Sequence, residues 1–238
     1  MKVFRQTRRR QYSGRMQDPI PAVTSAARLY SPAERRMDAQ VHYIGLSCVI
    51  LAVPLLIGAA LMRSLTEGSG HVIMASSIYG ATFIAMIGAS ALFNLGFRPA
   101  LDWLFQRLDH AAIYLKIAGT YTPFTLVTGQ GLWLLAGLWA AAACGVALKL
   151  VSPQRLRLLA IALYLGMGWV GVIILPDLAQ SLSPLILGLM LSGGLVYTTG
   201  VVFYLWKALP YHFAIWHVFV LVASLLFYAA VLALVLGG

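Results

Sequence analysis

Long runs without a charged side chain are the feature of this sequence that most constrains its fold. Residues 44–62 carry no Asp, Glu, Lys or Arg over 19 positions, and residues 72–97 carry none over 26. A helix of that length, rising about 1.5 Å per residue, crosses most of a bilayer core about 30 Å thick. Membrane strands need only about 9 to 11 residues of alternating polarity, so the runs predict membrane-spanning helices and not a barrel.

Further apolar segments bring the predicted number of membrane spans to seven. The composition agrees, because only 10% of the residues are charged, against about 25% in soluble domains. We therefore predict an all-α integral membrane protein. Residues 42–238 are expected to form its transmembrane domain, and residues 1–41 a basic cytoplasmic tail that is disordered at its start. The five further spans cover about residues 111–126, 132–148, 158–176, 184–206 and 213–238.

The basic residues are distributed unevenly between the two sides of this predicted bundle. With the N-terminus inside, fifteen of the seventeen Lys and Arg residues fall in inner segments, and Arg63 alone falls in an outer one. Because Lys and Arg in short loops set the orientation of membrane helices, we predict an N-in/C-out topology in a bacterial inner membrane. The same asymmetry accounts for the net charge of +10 without a nucleic-acid partner. Membrane lipids are the expected partners, and no oligomeric state is predicted.

This topology brings polar residues from three predicted helices to one depth near the cytoplasmic side. Ionisable residues in a membrane usually face the bundle interior or a water-filled cavity. We therefore predict a polar cluster there, with Asp109 and His217 as its central pair. As alternatives, Asp109 and His110 are an exposed helix start and His212 is an interfacial residue. The six residues are Ser90, Asn94, Asp109, His110, His212 and His217.

Lys116 lies two turns into the third predicted span, on the same side of the helix as Asp109. Side chains lean toward the N-terminus of a helix, so its ammonium group is expected to reach the inner surface. An ion pair with Asp109 is the alternative.

Several motifs together resemble the bacterial hemolysin III proteins of the progestin and adipoQ receptor superfamily. The most specific is LDHAAIY at 108–114, which runs into IAGTYTPF at 117–124. The others are YSPAER at 30–35 with Asp38 and HYIG at 42–45, SALFN at 90–94, and AIWHVFVL at 214–221. The resemblance implies a seven-helix, N-in/C-out bundle like that of the adiponectin receptors, with a zinc site on the cytoplasmic side. It also implies kinship with lipid-amide hydrolases such as alkaline ceramidases, and for some bacterial relatives a pore-forming activity.

This sequence departs from the family pattern at the zinc ligands that the resemblance implies. The histidine position of the second span holds Asn94, and the first of two histidine positions in the seventh span holds Phe213. His217 occupies the remaining ligand position. His212 lies five residues before it, about 140° away around the helix, and is a poor substitute. We therefore expect no bound cofactor, with zinc as the alternative.

Three functions are consistent with the sequence. The favoured one is a hemolysin III-like protein that acts on or senses membrane lipid or envelope state through its polar cavity, without the complete family zinc site. The second is a zinc-dependent intramembrane hydrolase of lipid amides, in which Ser90, Asp109 and His217 would be catalytic. The third is a pore or channel. For the last, a polar stripe should continue outward beyond Lys116, and only neutral groups such as Thr120 and Thr122 follow it.

Overall fold

The structure, a computed structural model, describes residues 30–151 and 157–237. Within these ranges it contains eight α-helices and no strand, and two short 3-10 segments lie at Pro99–Leu101 and Val170–Ile174. The predicted disorder at the start of the tail concerns residues outside the described ranges. The α-helices are α1 Pro32–Glu67, α2 Gly70–Asn94, α3 Asp102–Thr128, α4 Leu132–Val151, α5 Arg157–Trp169, α6 Leu175–Ser181, α7 Pro184–Leu205 and α8 His212–Val235.

Helix α1 begins at Pro32, ahead of the domain boundary expected at residue 42. A capping box explains its start. The Ser31 side chain accepts a hydrogen bond from the Glu34 backbone, and the Glu34 carboxylate accepts one from the Ser31 backbone. These bonds satisfy amide groups that have no partner in the first helical turn, and proline is favoured at the first helical position. The polar residues 32–43 therefore continue the apolar span as one helix.

Six helical segments of the described chain are long and apolar enough to cross a membrane. They are Pro32–Glu67, Gly70–Asn94, Leu132–Val151, Leu158–Ser181, Pro184–Leu205 and His212–Val235. The fourth of these segments includes α5, a 3-10 segment and α6. Many of their large apolar side chains are exposed, among them Leu51 and Ile50 of α1. Such surfaces are stable against lipid tails and not against water, so the chain is an all-α membrane protein.

Helix α3 is not among these six segments, because charged residues such as Asp109 and Lys116 lower its mean hydropathy. It packs mainly against α2 and α4 and also contacts α5, α6 and α8. From Ala111 to Thr125 most of its side chains are buried. Its polar residues are thus enclosed by other helices, as expected for ionisable groups in a membrane protein.

Two glycines let the neighbouring helices approach α3 closely. A Cβ atom added at Gly119 of α3 would lie 2.1 Å from the Thr82 Oγ1 of α2. One added at Gly145 of α4 would lie 2.5 Å from the ring of Tyr114 of α3. Small residues at such crossings are the usual means by which membrane helices pack backbone to backbone.

Candidate functional site: a polar cluster beside an internal cavity

A cavity of about 960 Å³ lies inside the helix bundle. Most of its wall is apolar and comes from α3, α5, α7 and α8, including Ile117, Leu165, Leu187 and Val220. Its polar wall residues come from α1, α3 and α8 and from the ends of α2 and α4, together with Lys207 just beyond α7. They include His42, Ser90, Asp109, His110, Lys116, Lys149, Lys207, His212 and His217.

Asp38 and His42 of α1 meet His217 of α8 in what we call the Asp–His cluster. The His217 Nδ1 atom lies 2.5 Å from Asp38 Oδ1, and the His42 Nδ1 atom lies 3.6 Å from Asp38 Oδ2. The two imidazole rings are nearly perpendicular, with centroids 4.5 Å apart. Both histidines are buried. The Asp38 carboxylate thus contacts His217 directly and lies close to His42, whose Nδ1 atom bonds the Asp38 backbone carbonyl at 2.8 Å. Such an arrangement can hold a proton or a cation.

The end of α2 extends this cluster through hydrogen bonds. The His42 Nε2 atom lies 3.1 Å from the Ser90 hydroxyl oxygen. The Asn94 amide donates to the Ser90 carbonyl at 2.9 Å and lies 3.3 Å from the Ser90 hydroxyl oxygen. Three residues of the expected polar cluster thus belong to one network, namely Ser90, Asn94 and His217. Asp38 and His42 of α1 connect them.

The acid beside His217 is Asp38 and not Asp109. Asp109 is half-buried on the cavity wall, and among the described residues no ion pair joins it to His217. His110 also lines the cavity, and its backbone carbonyl accepts a hydrogen bond from the Tyr164 hydroxyl at 3.0 Å. Asp109 of α3 and His217 of α8, the predicted central pair, therefore both line the cavity without forming an ion pair.

Lys116 does not extend toward the inner surface as the sequence suggested. Its side chain is 3% exposed, and its Nζ atom donates to the Thr120 hydroxyl, one turn further along α3, at 3.1 Å. The ammonium group lies 3.7 Å from the ring centroid of Tyr79 and 4.7 Å from that of Phe83. Aromatic faces of α2 stabilise this cation in place of Asp109.

His212 is separate from the Asp–His cluster. It begins α8, and its Nε2 atom lies 3.4 Å from the Tyr30 hydroxyl. Phe213 lies between the two histidines of α8, with its ring centroid 4.5 Å from that of His217 and its ring stacked on Tyr30. An aromatic ring thus fills the position where the resemblance implies a zinc ligand.

Sequence reasoning did not place Asp38 and His42 in the site, because residues 1–41 were assigned to the tail and the first span was expected to begin at Ile44. Two signals could have found them. The Ser31 and Glu34 spacing is that of a capping box and predicts a helix from Pro32. Residues four apart on a helix lie on one face, so Asp38 and His42 were then expected to form a pair.

The Asp–His cluster fits a metal of the zinc type better than the ligand positions that the resemblance implies. Asn94 and Phe213 offer an amide and a phenyl ring, neither of which is a usual zinc ligand. One ligand atom from each of Asp38, His42 and His217 can be chosen so that all three lie within 4.8 Å of one another. Two imidazoles and one carboxylate are an established zinc ligand set, which leaves a fourth position for water.

Comparison with known proteins identifies the family. The family model described as "Haemolysin-III related" matches residues 33–228. "Hemolysin-3" of Bacillus cereus is 36% identical over 206 residues, which cover 85% of this chain and 92% of that protein. The "Hemolysin-3 homolog" of Bacillus subtilis (strain 168) is 35% identical over 207 residues, 86% of this chain and 95% of the relative. The human "Monocyte to macrophage differentiation factor" is 26% identical over 216 residues, 84% and 88% of the two chains. The resemblance seen in the motifs is thus confirmed, and the chain belongs to the haemolysin-III-related family.

Proposed function

We propose that this chain is an inner-membrane protein that binds membrane lipid in its internal cavity and thereby acts on or senses the lipid or envelope state. The observation that carries the proposal is the cavity of about 960 Å³, apolar over most of its wall and polar near the Asp–His cluster. Cavities of about 300–1,000 Å³ with a few convergent polar groups are typical of small-molecule sites. A lipid matches this division, with its tail along the apolar wall and its head group at the polar residues.

Seven membrane spans in an N-in/C-out orientation are part of this proposal. Helix α3 has 27 residues, about 40 Å at 1.5 Å per residue, and is long enough to be the seventh span. The distribution of Lys and Arg supports a cytoplasmic N-terminus. Asp109 and His110 line the cavity from the N-terminal half of α3, and His212 and His217 from that of α8, so these residues would then lie toward the cytoplasmic side.

Reporter fusions test this topology. Alkaline phosphatase fused after Gly238 should be active, because the C-terminus is expected to lie outside the inner membrane. A fluorescent protein that folds only in the cytoplasm should be dark at the same position. A bright C-terminal fusion would contradict the orientation.

Lipid retention through purification tests cavity binding. Gly188 of α7 lines the cavity and has no atom within 4 Å of an added Cβ, so Gly188→Phe should fill part of the space. Gly137 of α4 has equally free surroundings but is not among the residues that line the cavity, so Gly137→Phe is the matched control. Native mass spectrometry should show about one retained lipid per chain for the wild type and the control, and much less for Gly188→Phe. Equal retention by both variants would refute binding in the cavity.

Hydrolysis of a lipid amide is the second candidate function, and the Asp–His cluster beside the cavity favours it. A bound zinc ion would polarise a carbonyl group and lower the pKa of its water. In this chain Asp38, His42 and His217 would hold the ion, and the Ser90 hydroxyl group, 3.1 Å from His42 Nε2, would lie beside it. Release of free fatty acid from a ceramide by the purified, zinc-loaded protein tests it, with His217→Gln as the inactive variant.

A pore receives less support from the described residues. The hydroxyl groups that follow Lys116 along α3 donate to carbonyls of their own helix, as Thr120, Thr122 and Thr125 each do to the residue four positions earlier. Such bonds satisfy the hydroxyl groups locally, so these threonines do not indicate a polar path along α3.

A further inference from the structure

We propose that Asp38, His42 and His217 bind one divalent transition-metal ion of the zinc type, which joins α1 to α8. This ligand set differs from the one that the resemblance implies, because two of its three members come from α1. The inference goes beyond lipid binding, since a lipid cavity needs no ion. Its failure would leave that proposal standing.

The first support is the spacing of the donors. Asp38 and His42 are four residues apart on α1 and therefore project from one face of the helix. Two metal ligands at this spacing on a helix are a recurrent basis of zinc sites. His217 of α8, 179 residues from Asp38 along the chain, supplies the third donor from the facing helix.

The second support is the orientation of the histidine rings. A carbonyl oxygen only accepts hydrogen bonds, so the 2.8 Å contact between His42 Nδ1 and the Asp38 carbonyl places the proton on Nδ1. The Nε2 lone pair, which faces the Ser90 hydroxyl oxygen at 3.1 Å, is then the one that can bind a metal once that hydroxyl turns away. Metal-bound histidines characteristically donate their other ring N–H to a carbonyl or carboxylate in this way.

The third support is the small movement that binding requires. Two ligand atoms at about 2.0–2.1 Å from a tetrahedral zinc ion lie about 3.3 Å apart. The His217 Nδ1 and Asp38 Oδ1 atoms are 2.5 Å apart, so less than about 1 Å of separation admits the ion between them. Each of the three chosen donor atoms lies within 4.8 Å of the other two, so changes of at most about 1.5 Å in these separations bring all three to the zinc-bound spacing.

The fourth support is the chemistry of the positions that differ from the family pattern. Asn94 at the end of α2 and Phe213 near the start of α8 occupy positions where the resemblance implies histidines. The Asp38 carboxylate contacts His217, the one ligand position of that pattern that is retained. Zinc accepts imidazole and carboxylate ligands readily. The charge of Asp38 would be balanced by the ion, with both histidines neutral.

Metal content of the full chain tests the proposal. The protein is purified in detergent, stripped with a chelator, reloaded with Zn²⁺, desalted and analysed by inductively coupled plasma mass spectrometry. The wild type should hold about one ion per chain. Asp38→Asn, His42→Gln and His217→Gln should each lower this at least about fivefold. His212→Gln is the matched control, because His212 is a buried histidine of α8 on the same cavity wall, and it should retain the ion.

Cobalt provides a measurement that needs no variant. Co²⁺ added to the stripped wild type should give the visible absorption of a four- or five-coordinate site, and Zn²⁺ should abolish it. The proposal is overturned if the wild type holds less than about 0.2 zinc ions per chain and shows no such absorption. Zinc content that survives all three ligand substitutions, or that falls equally in His212→Gln, would also overturn it.

Discussion

Substitution of Gly119 should show how tightly the packing of α2 on α3 supports the polar site. An added Cβ would lie 2.1 Å from the Thr82 Oγ1 atom and 2.8 Å from both Thr82 Cβ and Cγ2. Ordinary contact begins at about 3.4 Å, so α2 and α3 would have to separate by roughly 1 Å. Both residues are buried, which leaves little room for such a shift.

The expected cost follows from two opposing contributions. Overpacking of a close-packed interior costs about 1–3 kcal/mol, and three simultaneous overlaps favour the upper end. Alanine in place of glycine within a helix gains about 1 kcal/mol. Gly119→Ala should therefore lower the free energy of unfolding by about 2 kcal/mol. Gly137→Ala on α4, with no atom near its Cβ, should raise it by up to about 1 kcal/mol.

The assay compares midpoint temperatures of the two variants in the same detergent. About 2–4 °C correspond to 1 kcal/mol in a chain of this size, so the variants should differ by about 6–12 °C. Combining Gly119→Ala with Thr82→Ala, which removes the closest contact, should recover at least about 1 kcal/mol. A Gly119→Ala midpoint equal to that of Gly137→Ala would refute the close contact.

Further expected outcomes concern the cavity and the cluster. Lys116→Met keeps the side-chain volume and removes a buried cation, so the midpoint temperature of unfolding should stay unchanged or rise. Tyr79→Leu should lower the midpoint temperature, because the ammonium group of Lys116 loses its nearest aromatic face. A strongly destabilised Lys116→Met variant would contradict this account. Ser90→Ala removes the hydroxyl group that contacts His42 Nε2, the atom assigned to the metal, so zinc affinity measured by chelator competition should stay unchanged or rise; a large loss of affinity would contradict the assignment of Nε2 to the metal. Ser31→Ala should cost about 1 kcal/mol through the lost helix cap, as measured by thermal unfolding. Planar bilayers loaded with the protein should show no conductance, and step-like currents would favour a pore.

Most of the helices could be predicted closely from the sequence, because a membrane-spanning helix requires a long run of apolar residues. The uncharged runs at 44–62 and 72–97 lie almost wholly within α1 and α2, and the motifs at 90–94, 108–124 and 214–221 placed the chain in its family. The start of α1 was also encoded locally, in the capping box of Ser31 and Glu34. The start of α1 was not predicted because the sequence was divided at the change from polar to apolar residues, whereas a helix can extend beyond the bilayer core.

The sequence by itself determined an all-helical membrane protein, its family and some of the polar residues of its site, such as Ser90, Asn94 and His217, because hydropathy and motif spacing belong to neighbouring residues. Only the tertiary structure decided which of these residues meet. His217 contacts Asp38 from the first helix and not Asp109, and Lys116 turns toward Tyr79 and away from the surface. Such choices depend on how far each helix extends and how it is rotated against its neighbours. The close packing of side chains across the whole bundle sets both.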